Sequence, residues 1–404
     1  MAATLTRLAR TFPALLVTGP RQSGKTTLLR TGWGDTHRYV SLENPDVRER
    51  VGADPVGFLR DHPPPLILDE IQYAPALLSY VKSLIDEDRR PGRWLLSGSQ
   101  SFPVMRGVSE SLAGRVAVLT LLPFSQREAR GASAPPTTAA AADRHFRALL
   151  GGQVDPGPRR MAAARWILRG GYPEPWAKRG EDRLVWAASY VQTYLERDVR
   201  SALAVDDLGT FQTFVRLVAA RTGQLLNLSD LGRDAGISQP TARAWLGVLQ
   251  ASHQVFLLRP YHANLGKRLV KSPKVYFLDT GLACYLTGLR DEAAVAGGPM
   301  AGALFETAVV TELVKLAHNR GEPPALWYFR SRDGWEIDVL AERNGTLYPV
   351  EIKLTATPRP LHAAAIVRLR EALGEKVGAG LVVANVASPL SLVPGVRVVP
   401  WDAI

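Results

Sequence analysis

One cysteine, Cys284, is all that the 404-residue chain contains. A lone cysteine excludes an intrachain disulfide and any zinc site built from cysteines. It fits a reducing, cytoplasmic setting. Long apolar runs are also missing: no stretch approaches the roughly 20 residues that a membrane-spanning helix needs, so a membrane partner is not expected. The run "FPALLV" after Arg7 and Arg10 has the flavour of a signal peptide. It is too short for one and leads straight into a glycine-rich loop, so it reads as a buried strand. Acidic residues are outnumbered, 38 against 49 Lys and Arg, for a formal net charge of +11. A surplus of that size favours polyanions such as DNA. It is also what an Arg-rich, GC-rich genome would give, and both readings stay open. Lysine is scarce, with nine in the chain, which makes any cluster of them informative.

What is present is ordinary for a soluble globular protein, 46% hydrophobic and 22% charged. The length calls for two or three domains. The first signal is "ALLVTGPRQSGKTTLLR", Ala14 to Arg30. An apolar run leads to Gly19-Pro20-Arg21-Gln22-Ser23-Gly24-Lys25-Thr26, and a helix-like pattern starts by Thr27. Strand, glycine loop and helix in that order make a phosphate-binding loop. The glycines let backbone N–H groups turn towards phosphate oxygens, and the helix N-terminus adds its positive end. Lys25 is expected to reach the β and γ phosphates of ATP, and the Thr26 hydroxyl to ligate Mg²⁺.

"PLILDEIQ" supplies the partner. A short apolar strand ends at Asp69, at the edge where open α/β sheets bind ligands. Asp69 is expected to hold Mg²⁺ through water, and Glu70 to polarise the attacking water. "RYVSLEN" reads as a strand between these two motifs. "RWLLSGSQ" reads as a further strand ending in polar residues, with Ser97, Ser99 and Gln100 as candidates to sense the γ phosphate. Ser99 is favoured; a solvated turn is the competing reading. Arg115, in "ESLAGRV", is a candidate finger reaching a neighbouring subunit's nucleotide, hence a homo-oligomer. A plain surface arginine is the alternative.

Beyond Ala129 a patch rich in Ala, Thr and Pro marks a linker or insertion. The aromatic stripe in "WAASYVQTYLERDVRSAL" recurs at helical spacing and reads as core. Gly171-Tyr172-Pro173 reads either as cover for a nucleotide base or as a simple turn. "NLSDLGRDAGISQPTARAWLGVLQ" has the proportions of a helix-turn-helix, with Ser229 capping the first helix and Gly236 closing it. Gln239, Thr241 and Arg243 then fall at the N-terminus of the second helix, where such motifs read DNA. "VFLLRPY" and "KVYFLD" follow as a hairpin wing. Lys267, Arg268, Lys271 and Lys274 lie between or at them and suit phosphate contacts.

Near the end of the chain, "EIDVLAER" and "LYPVEIKL" read as adjacent strands. Alternation puts Glu351 and Lys353 on one face, Asp338 can join them, and Glu306 can enter from the helix "AGALFETAVVTELVKLAHN". Carboxylates in that arrangement suit Mg²⁺-dependent phosphodiester cleavage, with Glu306, Asp338 and Glu351 on the metal and Lys353 on the developing charge. A degenerate copy that only binds DNA is the rival, and a strand pair with solvated charges is the bland one.

Taken in order, "GPRQSGKTT", "LILDEIQ", "LLSGSQ", "SLAGR", "GGYPEP", "YLERDV", "FLDTGL" and "EIDVL…VEIK" resemble the prokaryotic AAA-type ATPases that carry a C-terminal domain of unknown function 4143. The resemblance covers nearly the whole chain. It implies an α/β, AAA-type P-loop parallel sheet (about residues 1–128), a helical and winged-helix domain (165–285) and a restriction-endonuclease-like α/β domain (286–404); the Ala/Thr/Pro stretch, in the linker 129–164, departs from it as a local insertion. The expected activity is ATP hydrolysis coupled to DNA binding, with Mg²⁺-dependent cleavage or remodelling in one version. In the other, a nucleotide-switched regulator carries an inactive nuclease-like domain.

Overall fold

The computed structural model describes residues 1–99, 112–131, 139–153, 161–177, 182–195, 208–261, 272–331 and 333–404. They fall into two compact units. The first comprises Met1–Pro123 together with Ala251–His253 and His318–Glu322; the second holds Phe124–Gln250, Gln254–Ala317 and Pro323–Ile404.

The first unit is built on five parallel strands: β1 (Ala14–Thr18), β2 (Arg38–Ser41), β3 (Leu66–Asp69), β4 (Trp94–Ser97) and β5 (Val116–Thr120). Their order is β2-β3-β4-β1-β5. Successive side chains of a strand point to opposite faces, and here both faces are covered. Leu16, Leu68 and Leu96 enter one core with Leu78, Val81 and Ile85 of the helix Leu77–Glu87. Leu15, Val17, Ile67 and Leu95 enter the other, against Leu5 of the helix Ala2–Leu8 and Leu29 of the helix Lys25–Trp33. That is why β1, β3 and β4 read as unbroken apolar runs rather than alternating ones. Each such side chain contributes about 1.5–3 kcal/mol on burial. The carboxyl ends of β1 and β3 lie at the same edge of the sheet, with β4 hydrogen-bonded between them, and the polar residues of three motifs collect there. In this unit Thr4 donates a buried hydrogen bond of 2.6 Å to the Asn319 carbonyl.

In the second unit the helices Leu228–Ala235 and Gln239–Ala251 are joined by a tight turn. Gly236 (φ 70°) closes the first of them. Its cap is Asn227, not Ser229 as expected: the Asn227 side-chain oxygen accepts from the N–H groups of both Ser229 and Asp230. Asn227 stands just outside the first turn, where a side-chain acceptor meets the free N–H groups. Strands β6 (Gln224–Leu225), β7 (Val255–Leu258) and β8 (Lys274–Phe277) form an antiparallel sheet of order β6-β8-β7.

A six-stranded mixed sheet follows: β9 (Leu326–Arg330), β10 (Glu336–Arg343), β11 (Thr346–Lys353), β12 (Gly380–Ala384), β13 (Leu390–Val393) and β14 (Val396–Pro400), in the order β13-β14-β12-β11-β10-β9. The β10–β11 hairpin turns at Asn344-Gly345, both at positive φ, the pairing that a tight two-residue turn favours. The long helix Ala301–Arg320 precedes this sheet in sequence. Its Thr307 hydroxyl lies 2.9 Å from that of Thr222, just before β6, and Thr222 Oγ1 accepts from the Phe277 N–H of β8. Tyr328 of β9 exchanges backbone hydrogen bonds with Arg259 and Tyr261 beyond β7. The described part of the aromatic stripe is core: Ala187, Tyr190 and Val191 are buried, and the Tyr190 hydroxyl lies 2.8 Å from that of Tyr172. Tyr172 is itself buried among Trp186 and Tyr190, so its ring is enclosed rather than presented to a base.

Candidate functional site

The phosphate-loop sequence leaves β1 through Gly19 at φ 140°, where an added Cβ would stand 2.1 Å from the Leu121 carbonyl oxygen. Only glycine fits that approach. Gln22 and Gly24 also take positive φ, and Gly24 is the N-cap of the helix Lys25–Trp33. Pro20, Arg21, Gln22 and Ser23 complete the loop, and Thr26 and Thr27 lie in the first turn. Arg21, Ser23 and Lys25 are buried. The Lys25 ammonium lies back across its own loop, donating to the carbonyls of Gly19 (3.2 Å) and Pro20 (2.8 Å).

Asp69 ends β3 and gathers three hydroxyls. Thr26 donates to its Oδ2 at 2.9 Å, Tyr39 to the same oxygen at 2.7 Å, and Ser97 to Oδ1. A threonine hydroxyl beside a buried carboxylate is a hard oxygen pair that fits Mg²⁺. Tyr39 was not singled out from the sequence. Burial, and then its hydrogen bond to Asp69, push its phenol up to about 12. The Arg30 guanidinium covers its ring at 5.0 Å.

Glu70 sits at φ 59°, a conformation that costs a non-glycine residue on the order of 1 kcal/mol or more. Its N–H donates to Ser97 Oγ at 3.2 Å. Its carboxylate accepts from the Ser99 hydroxyl at 3.0 Å and from the Gln72 amide, which also donates to Ser99 at 3.0 Å. Ser99 is thus at the expected strand end, but its hydroxyl is directed at Glu70. Gln100 lies outside the described residues. Arg115 makes a two-pronged pair with Asp86 of its own chain, at 2.6 and 3.0 Å, and its guanidinium holds the Asp86 carboxyl below its ordinary range.

Glu306, Asp338, Glu351 and Lys353 do come together in the second unit, with Glu336 and Lys274 among them. Lys353 lies 2.6 Å from Glu351 Oε1 and 3.5 Å from Asp338 Oδ2. Asp338 Oδ2 also accepts from the Ile352 N–H at 2.8 Å. Lys274 pairs with Glu306 at 2.9 Å and with Glu336, and lies 3.8 Å from Asp338 Oδ1. Its side chain is 4% exposed. This corrects the reading of Lys274 as a phosphate contact: it faces inward because β8 turns Lys274 and Tyr276, two residues apart, to the same side. The Tyr276 hydroxyl donates to Glu306 at 2.6 Å. Burial, then the Asp338 charge, push the Glu351 carboxyl up to about 8 and raise that of Glu306. Glu351 Oε2 has no hydrogen-bond partner among the described residues. Burial would lower the Lys274 pKa, but Glu306, Asp338 and Glu336 outweigh it and hold the ammonium above its ordinary range. Among the described residues, no group of three or more His, Cys, Asp or Glu side chains is disposed to hold a metal ion. Glu306, Asp338 and Glu351, the expected ligand set, are each ion-paired to a lysine in this structure.

Of the residues read as DNA contacts, Gln239 and Arg243 are on the helix Gln239–Ala251 and exposed. Thr241 is half-buried, with its hydroxyl 2.8 Å from Ser238. Gln239 and Arg243 line an open groove of about 830 Å³ with Asn227, Gln250 and Ser272. Lys267, Arg268 and Lys271 lie outside the described residues.

Residues 11–130 match the model of an AAA domain. Residues 161–293 match a domain of unknown function, DUF8612, and residues 301–404 another, DUF4143. An uncharacterised protein of Mycobacterium tuberculosis is 34% identical over 359 residues, covering 88% of this chain and 74% of that one. An uncharacterised protein of Mycobacterium bovis aligns with the same figures. Among solved structures, a Walker-type ATPase of Pyrococcus abyssi is similar at 15% identity over 70% of this chain and 94% of that one, with a TM-score of 0.43. The Holliday junction branch migration motor RuvB of Thermotoga maritima is similar at 18% identity over 64% and 85%, with a TM-score of 0.29. With its phosphate loop, its parallel sheet and a C-terminal match running to the last residue, the chain belongs to the family of AAA-type P-loop ATPases that carry a C-terminal domain of unknown function 4143.

Proposed function

We propose that this protein binds and hydrolyses ATP, and that the nucleotide state governs DNA binding by its second unit. The observation that carries the first half is the joint presence of a glycine-built loop, a Thr26–Asp69 pair and a Glu70 carboxylate positioned by Ser99 and Gln72.

The chemistry follows from these groups. Loop N–H groups and the helix N-terminus receive the phosphates. Lys25 leaves the Gly19 and Pro20 carbonyls and donates to phosphate oxygens instead, a stronger, charge-assisted bond. Thr26, and Asp69 through water, would hold Mg²⁺, which supplies positive charge to the β and γ oxygens when bound. Glu70 takes the proton of the attacking water as it adds to the γ phosphorus and ADP leaves. Ser99 and Gln72 orient that carboxylate. Lys25→Ala should abolish turnover by removing binding, whereas Glu70→Gln should bind ATP and fail to cleave it. ATP hydrolysis by Lys25→Ala at the native rate would sink this reading.

DNA is the partner favoured for the second unit. The support is the net charge of +11, and an open groove with Gln239 and Arg243 beside it at the start of the second helix of a helix-turn-helix. Arg243→Glu should weaken DNA binding and lower its dependence on salt. Binding that is indifferent to Arg243→Glu and Gln239→Glu would remove this helix from the contact. Self-association through Arg115 belongs to the same proposal and requires that Arg115 exchange Asp86 for a neighbour's nucleotide.

A further inference from the structure

Four carboxylates crowd one region of the second unit: Glu306 from the helix Ala301–Arg320, Glu336 and Asp338 from β10, and Glu351 from β11. Buried anions persist only when cations neutralise them. A divalent ion is one way to do so; side chains are the other. Here each carboxylate has a basic side chain within reach. Lys353 serves Glu351 and Asp338, Arg330 serves Glu336 at 3.0 Å, and Lys274 serves Glu306, Glu336 and Asp338.

Lys274 is the unusual member. It comes from β8, a strand of the other sheet, and reaches the cluster with a side chain that is 4% exposed. Its ammonium is 5.9 Å from the centre of the Tyr328 ring, an arrangement that favours a cation. It is within 4 Å of an oxygen of Glu306 and an oxygen of Asp338 at once. A Mg²⁺ ion bridging those same two oxygens would need both at about 2.0–2.1 Å. It would have to take the place of the ammonium.

We propose that Lys274 is the resident cation of this cluster, standing where a bridging divalent ion would bind, so that the nuclease-like carboxylates form a permanent ion-pair lattice rather than a metal centre. The residues that resemble a cleavage motif then serve to fasten β8 to β10 and the helix Ala301–Arg320. The second unit is then not a nuclease. This inference does not rest on the ATPase reading, because the cluster and the phosphate loop share no residue.

The test is Mn²⁺ binding by the full chain, followed by electron paramagnetic resonance without nucleotide, in an Asp69→Asn background that removes the ATP-site carboxylate. The expected result is no Mn²⁺ whose binding depends on Asp338. Lys274→Met should create such a site, at least tenfold tighter than any in the parent and abolished by Asp338→Asn. If Lys274→Met alone does not fold, Lys274→Met with Glu336→Gln removes one charge of each sign and serves instead. Three results would overturn the proposal: an Asp338-dependent Mn²⁺ site in the parent, no gain of a site in a folded Lys274 variant, or Mg²⁺- or Mn²⁺-dependent DNA cleavage by the native chain that Asp338→Asn abolishes.

Discussion

If Ser99 acts on hydrolysis only through Glu70, removing both must cost no more than removing Glu70. The Ser99 hydroxyl donates to Glu70 at 3.0 Å and accepts from Gln72 at 3.0 Å, closing a three-membered network around one carboxylate. A hydrogen bond to a charged group is worth about 1.5–3 kcal/mol. Gln72 remains in Ser99→Ala and recovers part of this, so about 1–2 kcal/mol should be lost from the transition state, or roughly 5- to 30-fold in kcat. Glu70→Gln removes the proton acceptor and should cost about 10²- to 10⁴-fold. The double variant should match Glu70→Gln within about twofold, because a hydroxyl that orients a missing carboxylate has nothing to orient. Single-turnover phosphate release gives the rates, and a fluorescent ATP analogue gives affinity, expected to be unchanged in Ser99→Ala. A further tenfold fall in the double variant, or a tenfold loss of ATP affinity in Ser99→Ala, would refute this argument. Ser99 would then touch the nucleotide itself, as its place at a strand end first suggests.

Other expectations follow from single features. Gly19→Ala should lose ATP affinity by more than about tenfold, measured by nucleotide titration, because its Cβ would stand 2.1 Å from the Leu121 carbonyl and its φ is 140°. Arg115→Ala should lower turnover only at protein concentrations that allow self-association, with ATP binding intact; equal turnover at all concentrations would make Arg115 a structural partner of Asp86 alone. Burial holds His253 and His318 at about 4, below the ordinary 6.5. Both fold neutral, so the unfolded chain takes up their protons first as pH falls. Their contribution is full above about 6.5 and is lost as pH drops through about 4, and the melting temperature of the first unit should fall across that window. His318→Gln should flatten the fall, and an unchanged pH profile would show that His318 titrates normally.

The ATP site was legible because its information is local. Gly19 to Thr26 is one loop, and Asp69 and Glu70 are adjacent at the end of an apolar strand. Tyr39 escaped notice because its partner, Asp69, is 30 residues away and on the next strand. Nothing in "RYVSLEN" distinguishes a tyrosine that packs from one that holds a carboxylate. The gathering of Glu306, Asp338, Glu351 and Lys353 was readable from strand alternation and helix position. The destiny of Lys274 was not. In sequence, beside Lys267 and Lys271, it reads as part of a basic surface. Alternation puts Lys274 and Tyr276 on one face of β8, but only the tertiary fold decides that carboxylates cover that face. The cap at Asn227 is a smaller case of the same kind, since asparagine and serine both suit a cap and backbone geometry chooses between them.

β8 also bears on how such chains can be rearranged. The two matched segments of the second unit meet between residues 293 and 301. A cut there looks clean in sequence, yet it would leave Lys274 on one fragment and Glu306, Glu336 and Asp338 on the other. Each fragment would inherit an unbalanced interior. A C-terminal segment transplanted alone would need a substitute ammonium or a metal. The two segments are therefore held together by electroneutrality as well as by the continuity of the chain.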